Sequence, residues 1–310
     1  MTPKLQRFTF EAMGSFCEVQ FYSESRITAR KMARDLTAEV QRLERKYSRY
    51  LDDSVLSAIN RSAGDPAGIA IDKETQSLLD HAAVCYRQSK GLFDITSGVL
   101  RNIWDFKKGI VPEQSTIDDY VSRIGFDKLN WQERVKGNAH LFLPANMEID
   151  FGGIVKEYAA DSTALKARKM GISSGLVNLG GDFSAIGRKP EDEAWPVGIA
   201  DPNAPQKMIA RIDILDGGLA SSGDYERCFV LDGKRYSHIL NPLTGWPCDG
   251  LRAVSVAGNM CTVAGSIATI AMLLPEAEGI AWLQESTLPF IYMDASNEIR
   301  GPALQEAEFG

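Results

Sequence analysis

The sequence predicts an α+β fold: one large domain of mixed or antiparallel sheets with packed helices, spanning residues 1–310. Three observations carry this expectation. Alternating apolar segments meet one another through short turns as often as they alternate with helical segments, which argues against a doubly wound parallel sheet. No repeat period recurs and no low-complexity linker divides the chain. Three glycine pairs, at 152–153, 180–181 and 217–218, fall at strand ends or turns, where glycine lets a ligand or a second backbone come close.

The elements follow in order. Residues 8–21 alternate around Met13-Gly14-Ser15 and read as two strands joined by a tight turn. Over residues 28–47, Met32, Leu36, Val40 and Leu43 recur at helical spacing. Ser54 reads as the N-cap of a short apolar turn ending at Asn60. A helix over 72–89 places Leu78, Leu79, Ala82 and Tyr86 on one face; Asp72 or Thr75 caps it and Gly91 stops it. Residues 107–116 read as a basic, proline-containing loop, 117–124 as a short helix and 128–143 as a hairpin. Residues 147–151 read as the end of a strand meeting Gly152-Gly153, and 154–170 as a helix closed by Gly171. Further strands are expected at 175–182, 195–200 and 208–214, and a hydroxyl-rich turn at 220–225. Asp232-Gly233 joins runs 228–231 and 236–240 as a type I′ hairpin, because that turn needs positive φ. Its second strand delivers His238 to a rigid turn built from Asn241-Pro242 and Thr244-Gly245. A strand over 252–257, a buried helix over 262–274, a helix over 276–284 and a strand over 289–294 complete the chain.

Composition bounds the function. Hydrophobic residues at 44% and charged residues at 24% are ordinary for a globular protein. A net charge of −7 speaks against a nucleic-acid partner. The five cysteines show no C-x-x-C and no zinc spacing, which fits reduced thiols. The longest small-and-apolar stretch, 263–274, is too short for a transmembrane segment, which takes about 20 residues. No secretory signal is visible, so a cytoplasmic location is expected as the sequence stands, with a periplasmic or membrane-anchored one as the alternative if a leader has been removed.

Several residues carry two readings each. Asp150-Phe151-Gly152-Gly153 ahead of a helix with Lys156 in its first turn suits an anionic ligand, through helix N–H groups and the lysine. It also suits a plain strand-to-helix turn with a surface lysine. It is neither a Walker loop nor a G-x-G-x-x-G fingerprint. Asp94, between Phe93 and Ile95, either caps the following Thr96-Ser97-Gly98 or holds a polar ligand edge. His238 either satisfies the end of the hairpin or acts chemically with Ser221, Ser222 and Asp224. Met13 and Tyr50 by themselves read as ordinary core residues.

Seven motifs stand in order along the chain. They are Met13-Gly14-Ser15; Tyr47-Ser48-Arg49-Tyr50 with Asp53-Ser54; Phe93-Asp94-Ile95-Thr96-Ser97-Gly98 with Trp104; and Ile149-Asp150-Phe151-Gly152-Gly153-Ile154-Val155-Lys156. Val177-Asn178-Leu179-Gly180-Gly181-Asp182, Ser222-Gly223-Asp224-Tyr225-Glu226-Arg227 and Ser237-His238-Ile239-Leu240-Asn241-Pro242-Leu243-Thr244-Gly245 follow. Over residues 8–295 the chain resembles the ApbE family, the FAD:protein FMN transferases. Each motif alone is weak; seven in order are specific. The resemblance implies an FAD-binding α+β domain, often made as a bacterial lipoprotein. It implies a transferase that uses Mg²⁺ to split the FAD pyrophosphate and passes FMN to a threonine hydroxyl of an acceptor protein, typically a redox-pump subunit. By motif, Met13, Tyr50, Leu92, Phe93, Asp94, Asp150, Lys156 and His238 would line the FAD site. The Gly153 carbonyl and the Thr269 hydroxyl would face the metal, and His238 or Asp224 would stand nearest the acceptor as base or orienter.

One departure matters. The family helix usually reads A-D-x-x-x-T, its Asp being a metal ligand, whereas this chain reads Ala264-Gly265-Ser266-Ile267-Ala268-Thr269. Gly265 has no side-chain oxygen, and Mg²⁺ prefers carboxylates. Weakened metal binding is therefore expected, with Ser266 as a neutral substitute. The rival function is an FAD-binding protein with weak or no transferase activity, or a slow FAD pyrophosphatase. Mass spectrometry of FAD incubated with protein and Mg²⁺, with and without acceptor, separates these readings.

Overall fold

The computed structural model describes residues 2–135, 138–201, 204–225 and 227–304. The strands are β1 (Lys4–Ala12), β2 (Ser15–Ser23), β3 (Ile69–Ile71), β4 (Asn130–Val135), β5 (Asn138–Phe142), β6 (Gly175–Leu179), β7 (Asp182–Gly187) and β8 (Trp195–Asp201). They continue as β9 (Ala204–Ile214), β10 (Gly218–Gly223), β11 (Cys228–Leu231), β12 (Lys234–Ser237), β13 (Ala253–Gly258), β14 (Phe290–Met293) and β15 (Ile299–Arg300). The α-helices are α1 (Arg26–Tyr47), α2 (Val55–Arg61), α3 (Lys73–Gln88), α4 (Gln114–Ser122), α5 (Val155–Lys169), α6 (Cys261–Leu273) and α7 (Glu276–Glu285).

Eight strands form the main sheet in the order β1-β2-β6-β7-β10-β13-β14-β15. Every pairing among the described strands is antiparallel. Strand alternation assigns its two faces. Val177, Leu179, Ala220, Val254 and Val256 belong to the larger core, with residues of α1, α5 and α6. Leu176, Leu219 and Ile291 point the other way and pack with Trp195, Val197 and Ile212 of the β8–β9 hairpin. A third cluster joins Val99, Leu100, Trp104 and Ile117 to Phe229 and Tyr236 of the β11–β12 hairpin. That hairpin turns through Asp232 (φ 50) and Gly233 (φ 76), both left-handed as a type I′ turn requires.

The structure alters four of the expected elements. Residues 218–223 are not a turn but β10, inside the main sheet, flanked by β7 and β13. Serine and glycine favour turns in isolation, but here Ser221 Oγ meets Ser255 Oγ at 2.8 Å and Ser222 Oγ meets Thr269 Oγ1 at 3.1 Å. Those hydroxyl pairings let a tertiary setting override propensity. Residues 147–151 join no sheet: Asn60 bonds both backbone groups of Ile149, and Asp150 N donates to Ile95 O. The stretch after Gly180-Gly181 is the further strand β7. Helix α4 begins at Gln114, three residues early, because Thr116 and Ile117 N–H already donate to Glu113 O. The tip of the 128–143 hairpin, residues 136–137, and Glu226 of the sixth motif lie outside the described residues.

Candidate functional site

Turns and helix starts gather most of the selected residues. The β1–β2 turn holds Met13 at φ 52, its N–H donating to Glu44 Oε1 of α1 at 2.5 Å. The β6–β7 turn lies against it: Gly180 N donates to Phe16 O at 3.1 Å. A Cβ at Gly180 would stand 2.6 Å from Ser15 Cβ and 3.8 Å from Lys156 Nζ. Only glycine admits this approach, which draws both turns onto the first turn of α5. A cavity beside Met13 is lined by Gly14, Ser15, Phe16 and Glu44. A second cavity is lined by Tyr86, Phe126 and Trp131, and none of the expected site residues line it.

Lys156 lies beside this junction and forms an ion pair with Asp182 of β7 at 2.9 Å. Asp182 is 1% exposed and also accepts from Ser221 N at 3.3 Å. Helix α5 starts without a side-chain cap. No side chain occupies the cap position, which leaves the helix start open to a phosphate, although Glu157 places an acid in the first turn.

A second group surrounds Asp150. Its carboxylate accepts from Arg49 Nη1 and from Gly152 N, the latter at 2.9 Å. Gly98 permits this placement: a Cβ there would stand 2.9 Å from Asp150 Cβ. Arg49 also donates to Tyr50 Oη at 3.1 Å and lies over the Tyr50 ring at 5.1 Å. Tyr50 is 76% exposed rather than core, and the hydrogen bond from Arg49 lowers its phenol pKa. Phe93 is buried next to Gly153, its Cζ 3.6 Å from where a Gly153 Cβ would stand. Leu92 packs half-buried against the larger core.

Asp94 lies deeper. Its carboxylate accepts from Thr96 N and Thr96 Oγ1, both at 2.7 Å, and from Phe126 N at 3.0 Å. These bonds make it the cap of the 95–102 turn, as the capping alternative anticipates, and burial raises its pKa. Asp224 accepts from Arg235 Nε and Nη2, each at 2.9 Å, and from Arg252 Nε at 3.0 Å. Two guanidinium groups on one carboxylate suit an anchor that orients the β11–β12 hairpin better than a proton acceptor. His238 follows β12 directly, half-buried, its N–H donating to Arg227 O at 3.0 Å. The Arg227 charge also favours the ionised Tyr50 phenol.

Sequence reasoning passed over Glu157. It is 7% exposed on α5, and Oε2 has no hydrogen-bond partner among the described residues. Burial first, and then the Asp182 charge, push its carboxyl up to about 8. Its side chain fills the gap at Gly265 on α6: a Cβ at Gly265 would meet Glu157 Cγ at 2.6 Å and Oε1 at 2.8 Å. Arg49 and Asp182 were visible in the motifs without an assigned part. For Glu157 the signal was a charge next to Lys156 in a helix with alanines at 159, 160 and 164.

The sequence model of the ApbE family matches residues 13–292. The chain belongs to the ApbE family. The FAD:protein FMN transferase of Treponema pallidum is 30% identical over 289 residues, covering 88% of this chain and 80% of that protein. The FAD:protein FMN transferase of Vibrio cholerae is 27% identical over 294 residues, covering 90% and 84%. Among solved structures, the ApbE protein of Thermotoga maritima superposes with a TM-score of 0.87 at 27% identity, covering 96% of this chain and 97% of that one. The apo flavinyl transferase ApbE of Pseudomonas stutzeri gives 0.82 at 26% identity, covering 97% and 95%. The α+β architecture is thus that of ApbE proteins. No helix among the described residues is long and apolar enough to cross a membrane.

Proposed function

We propose that this ApbE-family chain is an FAD:protein FMN transferase, acting as one domain on FAD and on a threonine of an acceptor protein. The convergence of two glycine turns on Lys156 and the α5 amide end carries the reading, because that arrangement suits a pyrophosphate. Lys156 and the helix start hold the phosphates, with Asp182 fixing the lysine. Tyr50, Phe93 and Leu92 offer surface for the flavin or adenine ring, and Met13 bounds the cleft near them. Asp150, steadied by Arg49, accepts hydrogen bonds from the ligand; Asp94 shapes the turn beneath it. The threonine Oγ attacks the flavin-side phosphorus, the P–O bond to the adenylate half breaks, and AMP leaves. His238 takes the hydroxyl proton, while Asp224 sets the hairpin that carries it. A divalent cation, when bound, neutralises pyrophosphate charge. The Gly153 carbonyl and the Thr269 hydroxyl would hold it, and the Glu157 carboxylate, whose Oε2 has no hydrogen-bond partner among the described residues, fits that group.

The experiment incubates flavin-free protein with FAD and Mg²⁺, with and without a threonine-bearing flavin-acceptor protein, and follows both by mass spectrometry. The expected result is AMP release and an acceptor heavier by one FMN less water. Retention of intact FAD on dialysis, without AMP, supports the rival reading of an FAD-binding protein. The absent carboxylate at position 265 is what favours that rival. Failure to retain micromolar FAD overturns the flavin site itself.

A further inference from the structure

The junction of α5 and α6 brings three carboxyl groups, Glu157, Asp161 and Asp182, close to Lys156. Asp161, one turn beyond Glu157, accepts from Cys261 N at 3.0 Å, from Thr262 N at 2.9 Å and from Thr262 Oγ1 at 2.7 Å. Asp161 is therefore satisfied by the start of α6. Asp182 has Lys156. Glu157 is left with a buried oxygen that has no hydrogen-bond partner among the described residues. A buried carboxylate without a partner is costly unless a proton or a cation neutralises it.

Its position is set by Gly265. The Cβ of any other residue there would stand 2.6 Å from Glu157 Cγ and 3.0 Å from Cδ. The Glu157 side chain thus occupies the place that a residue-265 side chain would take. Residue 265 lies one turn before Thr269 on the same face of α6. Thr269 Oγ1 stands 3.1 Å from Ser222 Oγ, so neutral oxygens already gather on that face. Among the described residues no three His, Cys, Asp or Glu form a metal cage. One carboxylate with neutral oxygens and water suits a hard divalent cation of the Mg²⁺ kind.

We propose that Glu157 supplies the carboxylate of a divalent-cation site at the α5–α6 junction, in the space that Gly265 leaves open. The carboxylate has been moved from one helix to its neighbour, so the glycine does not disable the site. The inference deepens the proposed function and rests on it for the cation's use at a pyrophosphate, but not for cation binding itself.

The test uses flavin-free full-length protein with Mn²⁺ as the probe, followed by electron paramagnetic resonance and displaced by Mg²⁺. Wild type should bind one Mn²⁺. Glu157→Gln, nearly isosteric, should weaken it at least about tenfold, in the range seen when metal-site partners are lost. The double variant Glu157→Gly with Gly265→Asp should regain most of that loss, because it returns the carboxylate to α6. Equal Mn²⁺ affinity in wild type and Glu157→Gln overturns the proposal, as does the absence of Mn²⁺ binding in wild type. Dialysis of wild type with FAD and Mg²⁺ is run separately. Loss of FAD retention there sinks the flavin reading and leaves the cation result standing.

Discussion

Asp150 shows how much one residue depends on the space its neighbours leave. Its carboxylate is shared between Arg49 and Gly152 N, and Gly98 lies against its Cβ. Asp150→Asn keeps an acceptor but loses the charge that Arg49 pairs with. FAD affinity in equilibrium dialysis should fall about tenfold or more, the worth of one charge-assisted hydrogen bond. Gly98→Ala leaves the carboxylate intact but places a methyl group 2.9 Å from Asp150 Cβ. It should weaken FAD in the same assay and cost about 1–3 kcal/mol in a denaturant titration, as overpacking does. If Gly98→Ala binds FAD like wild type, the placement of Asp150 does not govern the site.

At the scale of elements, α6 is held at its start by a residue one hundred positions earlier. Asp161 does for Cys261 and Thr262 what an N-cap side chain ordinarily does from within its own helix. Asp161→Ala should destabilise the protein by about 2 kcal/mol or more, because two amides and the hydroxyls of Thr262 and Ser184 lose their acceptor together. Chemical denaturation measures it; a change within error would mean that water replaces the carboxylate. The β11–β12 hairpin is tied to β13 by Asp224 through Arg235 and Arg252. Asp224→Asn should speed amide exchange in residues 228–237 more than in β13. Uniform exchange in both would show that the aromatic cluster around Trp104 holds the hairpin alone.

Across the whole molecule, the buried acid on α5 ties stability to pH. The Glu157 carboxyl sits at about 8 against an ordinary 4.5, through burial and the charge of Asp182, with Lys156 opposing and Asp161 adding to the shift. Between those values the folded state keeps a proton that the unfolded state releases. This contribution is full below about 4.5 and is lost as pH rises through about 8. Melting temperature in chelator should therefore decline across that window, and Glu157→Gln should flatten the decline. Mg²⁺ should restore wild type at the alkaline end, since a ligand that binds only the folded state stabilises it by mass action. A profile identical for wild type and the Gln variant would show that Glu157 is not the group that titrates.

The α+β class, the type I′ hairpin and the buried α6 were legible in the sequence, because each rests on local periodicity or turn chemistry, and the seven ordered motifs were legible through the resemblance to the family. So was the capping alternative for Asp94, which depends only on the two residues after it. The serine-rich stretch 218–223 was not legible as a strand, because its place in the sheet comes from β7 and β13 and from hydroxyl partners on other elements. Residues 147–151 looked like a strand but spend their backbone bonds on Asn60 and Ile95. The clearest divide lies at Gly265. Sequence alone shows a missing carboxylate, since it compares a position only with itself. The tertiary structure fills that position from Glu157, because two helices packed face to face share one space and either of them can supply the side chain that occupies it.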